Sequence, residues 1–504
     1  MAGIIRSRSQ MGTPRVLGRR VLGRILGDPA PDLQRAYAKP DAGVYIYPGE
    51  LLKAPSSLQN HSVLLRVINY KKVNKIVSAD ALNIYETTGL KVETDGFPLG
   101  SYDIAEMQVL DCFDEQNQVL KGNICVPLPN GTLEPIDEQF LITIFGGRRP
   151  DGSRTVEIGD IRIGDRSLRL RIDPDIFIRH VLVIGGTGTG KSWFRGVIME
   201  KFKEKGIYQV NFDPLGEYSE AVKQLGGTNI RIGRDVRLSI WTLTPAQFYD
   251  LIYDYVPTEF QRTIAVEAFR RVRAKRGGRR DLIEEIGEVS KEMNARDDTY
   301  QNTVNRINVF LDTLEIAGDY DPKRIADELN RTQLLNFEFV GLNELQRDFA
   351  VASIMTLLYE FRSSDHPLVR RPTLVAVDEA HLYVPSGKRT LSRDIIKNVL
   401  RYGRHVGLAL MLITQLPSSM DEEAVEMPAV KVIFSISYDQ LKGIRFALSD
   451  LPDDIIYGIS KMETGRAIIT GNRDLIRYSV VVDITKERRT RHGAPTPSFF
   501  GNGS

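Results

Sequence analysis

The feature that most constrains this chain is a glycine-rich loop that ends in a lysine and a serine. The apolar run Val181–Ile184 leads into Gly185, and the pattern G-x-x-x-x-G-K-[ST] is completed at Lys191 and Ser192. Glycines let consecutive backbone N–H groups turn towards one phosphate without a Cβ clash. The order of strand, loop and helix therefore predicts a nucleotide-binding α/β domain rather than a chance glycine-rich turn.

The same loop predicts the contacts with the nucleotide. We expect Lys191 to reach the β- and γ-phosphates and the Ser192 hydroxyl to bind Mg²⁺. The following helix directs its positive N-terminal end at the same anion. Arg179, just before the strand, either reaches the nucleotide or caps the edge of the sheet. The predicted nucleotide-binding residues are Arg179, Gly188, Thr189, Gly190, Lys191, Ser192 and Trp193.

A second strand is predicted to deliver two carboxylates to the same site. The apolar segment 373–377 ends in Asp378 and Glu379. Burial of such a pair without a cation is costly, and Mg²⁺ on the phosphates together with an attacking water explains both residues. We expect Asp378 to hold Mg²⁺ through a bound water. Glu379 is predicted to be the general base or the residue that orients the attacking water.

Two further polar residues follow predicted strands. Gln415 is predicted to hydrogen-bond the γ-phosphate or the attacking water, whereas Asp213 either forms a turn or holds a metal-bound water. Phosphoryl transfer also needs an arginine at the transition state, and only Arg179 and Arg195 lie next to the loop. In ring ATPases a neighbouring subunit donates this arginine. Arg404 is predicted to lie near a subunit edge rather than in its own site.

Composition and pattern define the rest of the chain. Its 504 residues predict two to four domains, and a net charge of +2 means that any binding to nucleic acid depends on local basic patches. No apolar run reaches the roughly 18–20 residues of a membrane span, so we expect a cytoplasmic protein without membrane contact. Cys112 and Cys125 are predicted to be reduced thiols in a reducing cytosol, with a disulfide as the alternative.

The predicted fold is an α/β ATPase core with a helical insertion, preceded by a small β-barrel. Short strands at 44–47, 63–67, 102–110 and 140–145, separated by turn residues, predict the barrel, whose default role is docking or oligomerisation. The basic run 270–280 is either a solvated face or a contact with phosphate backbones. The predicted segments are a basic arm (1–24), the barrel (25–150), the core (151–242 and 333–485), the insertion (243–332) and a tail (486–504).

Taken together, these motifs resemble those of the HerA–FtsK superfamily, and within it the HerA family of archaeal DNA translocases. The matching segments are the loop at 180–192, D-x-x-G-E-Y at 213–218, the carboxylate strand at 374–381, R-x-G-R-x-x-G at 401–407 and Thr-Gln at 414–415. The resemblance implies a RecA-like P-loop core behind a HAS-barrel. It also implies that Arg404 is a trans-acting arginine finger, that Gln415 senses the γ-phosphate and that Arg179 contacts nucleotide.

The resemblance further implies a homohexameric ring that pumps double-stranded DNA using ATP and Mg²⁺. It implies a NurA-type nuclease bound to the barrel and a link to Mre11–Rad50 in double-strand break end resection. The expected channel residues are Lys388, Arg389, Arg273, Lys275 and Arg276. Two alternatives remain: a conjugative-coupling or protein-translocating ATPase of the same superfamily, and a nucleotide-switched assembly scaffold for a nuclease.

Overall fold

A computed structural model of the chain describes residues 21–74, 101–120, 125–137, 140–141, 154–163, 166–275, 277–314, 316–318, 323–363, 371–472 and 474–490. The chain divides into two compact units, one formed by Met1–Asp137 with Ile163–Ser167 and the other by Glu138–Arg162 with Leu168–Ser504. The predicted basic arm up to residue 20 and the tail from residue 491 lie outside the described residues. No helix within these ranges is long and apolar enough to cross a membrane.

The first unit contains a closed antiparallel barrel. Its strands are β1 (Gly23–Ile25), β2 (Arg35–Pro40), β3 (Leu51–Pro55), β4 (Ser62–Asn74), β5 (Ser101–Phe113) and β6 (Thr132–Pro135). They pair in the order β1-β2-β5-β4-β3-β6, and β1 also pairs with β6 to close the barrel. Side chains along β2 alternate between exposed and buried, as expected where only one face packs on a core. The predicted barrel is therefore confirmed.

Two of the predicted barrel strands are wrong in detail. Residues 44–47 form no strand, because Gly43 (φ +77°) and Gly49 (φ +92°) place turns on both sides of this short apolar run. The run predicted at 140–145 begins with two helical residues, and the remainder lies outside the described residues. Hydrophobic character alone does not separate a strand from an irregular segment.

The cysteine prediction is also wrong. Cys112 in β5 and Cys125 form a disulfide with a Cα–Cα distance of 5.8 Å, which is within the usual range for such bonds. The expectation of reduced thiols came from the number of cysteines, whereas pairing depends on which backbones lie side by side. Because the two cysteines are paired, they no longer support the predicted reducing compartment.

The second unit is built on an eleven-stranded sheet. The strands are β7 (Val156–Ile163), β8 (Arg166–Ile172), β9 (Val181–Ile184), β10 (Tyr208–Asp213), β11 (Thr228–Arg231), β12 (Leu334–Glu338), β13 (Thr373–Val377), β14 (Leu408–Thr414), β15 (Val430–Phe434), β16 (Arg466–Gly471) and β17 (Val480–Ile484). Their order is β11-β12-β10-β13-β14-β9-β15-β16-β17-β7-β8. The strands from β11 to β15 in this order are parallel, and β16 and β17 continue the sheet antiparallel.

The central strands explain where polar residues gather. Every residue of β9, β10, β13 and β14 is buried, which is typical of parallel strands covered on both faces. Polar residues that need solvent or a ligand are therefore confined largely to the strand ends. Because parallel strands end at the same edge, the phosphate loop, Asp213, Asp378 and Gln415 converge there.

Helices cover this sheet and form the insertion. Within the described ranges they are α1 (Lys191–Glu204), α2 (Ser219–Gln224), α3 (Pro245–Ile252), α4 (Glu259–Lys275), α5 (Arg279–Glu292), α6 (Asp297–Thr313), α7 (Lys323–Thr332), α8 (Glu344–Ser363), α9 (Leu391–Val406), α10 (Glu422–Glu426), α11 (Tyr438–Lys442) and α12 (Asp453–Gly458). The predicted helical insertion is present as α3 to α7, between β11 and β12. The predicted fold class, an α/β P-loop core with a helical insertion, preceded in the sequence by a β-barrel, is confirmed.

One helical glycine fixes how α9 meets β14. A Cβ on Gly403 would lie 2.4 Å from the carbonyl oxygen of Leu408 and 2.8 Å from Val399 Cγ1. The contact with Leu408 is to backbone, so it cannot be relieved by a rotamer change. We expect Gly403→Ala to lower the free energy of unfolding by roughly 1–3 kcal/mol, the usual cost of overpacking, as measured by thermal denaturation.

The matched control is Gly458→Ala at the end of α12, where an added Cβ meets no atom within 4 Å. This variant should melt at the wild-type temperature or slightly above it. Equal effects of the two substitutions would show that the α9–β14 contact does not constrain residue 403.

Candidate nucleotide-binding site

The loop between β9 and α1 has the conformation that a phosphate cradle needs. Gly188 and Gly190 have φ angles of +75° and +122°, which non-glycine residues rarely adopt. The hydroxyl of Thr189 and the ammonium of Lys191 both donate to the carbonyl oxygen of Gly186, at 2.8 and 2.9 Å. The loop is thus closed on itself, and it presents backbone N–H groups and the N-terminus of α1 to an anion.

A cavity of about 490 Å³ opens beside this loop, a volume typical of small-ligand sites. Trp193 forms part of its wall, and the indole N–H donates to the carbonyl oxygen of Thr485 at 2.8 Å. The guanidinium of Arg488 lies 4.6 Å from the centre of the Trp193 ring. The remaining walls come from the loop, Ser192, Arg162, residues 463–466, Asp483, Ile484 and Lys486.

Asp378 and Glu379 follow β13 and face the loop lysine. Glu379 has a left-handed backbone (φ +50°, ψ +46°), a strained conformation for a residue with a Cβ, and its N–H donates to Asp378 Oδ1 at 3.0 Å. Glu379 Oε2 is buried without a hydrogen-bond partner among the described residues, and the nearest cationic candidate is His381 Nδ1 at 3.4 Å. Backbone strain and an unsatisfied buried oxygen together mark this turn as a ligand site.

The charges in this site are unbalanced. Burial raises the pKa of Asp378 to about 7, and the neighbouring Glu379 carboxylate contributes to this increase. Burial also raises the pKa of Glu379 and lowers the pKa of Lys191, while the attraction between these two groups opposes both shifts. Glu217 adds a third carboxylate that acts on the same lysine. The site therefore has an excess of negative charge that a divalent cation would offset.

The donor set fits Mg²⁺ carried by a nucleotide. No group of three or more His, Cys, Asp or Glu residues in the described part of the chain is arranged to hold a metal ion by itself. Mg²⁺ at nucleotide sites commonly takes one or two protein oxygens and completes its shell with phosphate oxygens and water. Ser192 and Asp378 supply such an incomplete set, beside the unsatisfied Glu379 oxygen.

Gln415 lies at the phosphate loop, where the sequence predicts it. The hydroxyl of Thr187 donates to Gln415 Oε1 at 2.7 Å. This contact follows from the register of two adjacent parallel strands, in which Thr414 pairs with Ile184. The structure thus brings together Lys191, Ser192, Asp378, Glu379 and Gln415.

Both carboxylate oxygens of Asp213 accept hydrogen bonds, mostly from the turn that follows this residue. Its Oδ1 accepts the N–H groups of Gly216 and Glu217 at 2.8 and 3.0 Å. Its Oδ2 accepts the N–H of Tyr218 at 3.0 Å and the amide of Asn336 at 3.3 Å. Of the two alternatives predicted for Asp213, the structure therefore favours the turn over a metal-bound water.

Arg179 and Arg404 lie at the edge of the sheet formed by the amino-terminal ends of the parallel strands, whereas the phosphate loop lies at the edge formed by their carboxyl ends. Arg179 precedes β9, at the end of the strand away from the phosphate loop, and pairs with Asp474 at 2.5 Å; its contact with nucleotide stays a prediction. Arg404 lies at the end of α9, before the seven residues of β14, which span roughly 20 Å. Arg404 is exposed and makes no ion pair with a described residue. Strand polarity, rather than nearness in sequence, decides which edge a residue occupies.

Arg195 also cannot contact the nucleotide. It is completely buried, and its guanidinium donates to the side-chain oxygens of Gln209 and Asn211 on β10. Burial lowers its pKa to about 10. The motifs do not reveal this network. The signal in the sequence is the pair of amide side chains, Gln209 and Asn211, at buried positions of a strand.

Acidic side chains outside the basic run at 270–280 pair with several of its residues. Arg271 pairs with Glu267 and Glu292, and Lys275 pairs with Glu285. These carboxylates lie earlier in α4 and on α5. Arg273 likewise pairs with Glu360, Lys388 with Glu344 and Arg389 with Asp250, whereas Arg276 lies outside the described residues.

Comparisons with known proteins agree with this geometry. The sequence profile of the family described as "Helicase HerA, central domain" matches residues 156–358. The DNA double-strand break repair helicase HerA of Sulfurisphaera tokodaii is 26% identical over 357 residues, covering 66% of this chain and 69% of the relative. The protein of the same name from Pyrococcus furiosus is 25% identical over 502 residues, covering 87% of this chain and 88% of the relative.

A solved structure shares the fold of the core. VirB4 of Thermoanaerobacter pseudethanolicus superposes with a TM-score of 0.50 at 14% identity, covering 66% of this chain and 97% of that one. At this level of identity the likeness supports the P-loop fold and nothing finer.

The pKa of Asp378 gives a prediction for the nucleotide-free protein. With a pKa of about 7, folded Asp378 retains a proton that the unfolded chain has already lost between about pH 4 and pH 7. The stability that Asp378 contributes therefore falls as pH rises through this window, by at most about 4 kcal/mol. Asp378→Asn removes this dependence. In EDTA, the melting temperature of the variant minus that of wild type should therefore increase between about pH 5 and pH 8.

Asp439→Asn is the matched control, because Asp439 is an exposed carboxylate with 88% of its side chain accessible. Its melting temperature should follow that of wild type at every pH. Parallel curves for Asp378→Asn and wild type would contradict a raised Asp378 pKa.

Proposed function

We propose that this chain is a P-loop ATPase of the HerA kind, which hydrolyses ATP and moves double-stranded DNA as a ring of six subunits. The observation that carries the proposal is the split of the site between two edges of the sheet. The loop lysine and the carboxylates occupy one edge, and Arg404, which makes no ion pair within the described part of the chain, occupies the other. A neighbouring subunit that presents its Arg404 edge completes the site.

The proposed hydrolysis uses this chain's residues in distinct roles. Lys191 and the loop N–H groups bind the β- and γ-phosphates, while Ser192 and Asp378 hold Mg²⁺, which neutralises charge on the phosphates. Glu379 accepts a proton from the attacking water or orients it, and its unsatisfied Oε2 is available for this. Gln415, held by Thr187, hydrogen-bonds the γ-phosphate or the same water.

The missing positive charge is proposed to come from a neighbour. A transition-state arginine contributes about 10³- to 10⁵-fold to the rate of related reactions. Arg195 is buried against Gln209 and Asn211, so it is not available for this role. We assign the role to Arg404 of the adjacent subunit. Arg179, on the same edge, is proposed to approach the neighbour's nucleotide as well.

The DNA and partner proposals rest on the relatives, which are named DNA double-strand break repair helicases. In a ring, six copies of Lys388 and Arg389 supply a belt of basic groups for the phosphate backbone, with Arg273 and Lys275 as further candidates. The antiparallel barrel is the proposed docking face for a NurA-type nuclease that resects DNA ends, with Mre11–Rad50 acting in the same repair. The site of action is proposed to be the cytoplasm.

ATP hydrolysis stimulated by double-stranded DNA is the first test. Lys191→Ala should reduce steady-state phosphate release to background, because the loop loses the cation that faces the phosphates. Lys201→Ala, on the same helix but outside the cavity, should retain wild-type turnover. Phosphate release by Lys191→Ala at the wild-type rate would refute the site.

The same test separates a motor from a scaffold. Glu379→Gln should bind ATP and DNA without hydrolysis and should fail to displace a protein roadblock from duplex DNA. If Glu379→Gln still supports end resection with the nuclease, the chain is a nucleotide-switched scaffold and the motor proposal fails.

Mixed rings test the donation of Arg404 between subunits. Arg404→Ala and Glu379→Gln proteins should each be inactive alone. When mixed, some interfaces pair an intact Glu379 with an intact Arg404, so ATPase activity should return to a fraction of wild type that depends on the mixing ratio. Mixing Lys191→Ala with Glu379→Gln is the control, because both lesions lie on the same side of the interface. Absence of recovery at every ratio would show that Arg404 does not act in trans.

A further inference from the structure

The turn at residues 213–218 places a tyrosine directly against the carboxylate that follows β13. Asp213 accepts three consecutive N–H groups, from Gly216, Glu217 and Tyr218, and this fixes the backbone of the turn. Gly216 has a φ of +74°, which lets the chain reverse at this point. The buried Tyr218 side chain then points inwards, and its hydroxyl donates to Asp378 Oδ2 at 3.0 Å.

We infer that Tyr218 is a positioning residue that holds the Asp378 carboxylate in the orientation required to bind Mg²⁺ with the nucleotide. This inference rests on the proposed function, since it requires Mg²⁺ at Asp378. The two carboxylate oxygens are fixed from different sides, Oδ1 by the N–H of Glu379 and Oδ2 by the hydroxyl of Tyr218. Each oxygen keeps further lone-pair capacity for a metal-bound water.

The Tyr218 hydroxyl orients Asp378 because neither bulk water nor Arg195 does so. Asp378 is 7% exposed, so bulk water does not hold the carboxylate in one orientation. Arg195 lies in the same buried region and favours the charged carboxylate, but its hydrogen bonds go to Gln209 and Asn211. A hydrogen bond to a charged acceptor away from solvent is among the stronger ones in proteins.

Tyr383 provides a matched control for the chemistry of the substitution. It is also a buried tyrosine, at 1% exposure, and it lies five residues after Asp378 in the sequence. Its hydroxyl, however, has no hydrogen-bond partner among the described residues. Replacement of either tyrosine by phenylalanine keeps the ring and removes one buried oxygen, and in Tyr218→Phe that oxygen is the donor to Asp378.

The test measures metal binding and does not depend on turnover. Full-length protein saturated with ADP is titrated with Mn²⁺ as a probe for Mg²⁺, and bound Mn²⁺ is followed by electron paramagnetic resonance. Tyr218→Phe should raise the Mn²⁺ dissociation constant about tenfold, the loss expected for one hydrogen bond to a charged group. Its affinity for ADP in EDTA should equal that of wild type. Tyr383→Phe should match wild type in both measurements.

A double-mutant cycle keeps the inference testable if Tyr218→Phe also loosens the fold. In the Asp378→Asn background, Tyr218→Phe should cause no further loss of Mn²⁺ affinity. Additive losses, an unchanged Mn²⁺ affinity, or an equal loss of ADP affinity in EDTA would overturn the positioning role. If wild type itself binds neither ADP nor Mn²⁺, the proposed function fails along with it; if wild type binds both and Tyr218→Phe does not differ, only this inference fails.

Discussion

The balance between one buried lysine and the carboxylates opposite it is the constraint on which the rest of the site depends. Lys191, Asp378 and Glu379 all lose solvation where they lie; the lysine and the carboxylates attract each other, whereas the two carboxylates repel each other. The carboxylates exceed the lysine in number, and the nucleotide-free site therefore retains an electrostatic demand for a cation. The strained backbone of Glu379 is consistent with a turn whose geometry serves that ligand.

The sheet explains why this cluster forms at one place and lacks one component. Because β9, β10, β13 and β14 are buried along their full length, their charged residues appear at the ends. Parallel pairing then brings those ends to one edge, and the same pairing sends Arg179 and Arg404 to the other. The distance between the edges is set by strand length, so no side-chain rearrangement within one chain closes it.

Sequence reasoning succeeded wherever a residue's place follows from the end of a strand. Lys191, Asp378 and Gln415 are of this kind, and so is the turn at Asp213. It failed where the partner lies elsewhere in the chain. Arg179 pairs with Asp474, the acidic partners of Arg271 lie partly on another helix, and Tyr218 meets a carboxylate 160 residues away. The cavity wall at 463–466 has no motif, because it is the pairing of β15 with both β9 and β16 that brings this segment beside the loop.

The R-x-G-R segment shows how a fold leaves one arginine available. Arg401 is held by Glu423, with Nη2 2.6 Å from the carboxylate, so its charge is committed within the chain. Gly403 has no side chain, which allows α9 to approach Leu408, and the left-handed Gly407 (φ +71°) caps the helix. Arg404 then emerges at the edge with only the ring of His405 as a hydrogen-bond partner, at 3.4 Å, among the described residues. An exposed guanidinium next to a rigidly packed helix end loses little conformational freedom when it meets an anion, and this is the property required of an arginine that completes another subunit's site.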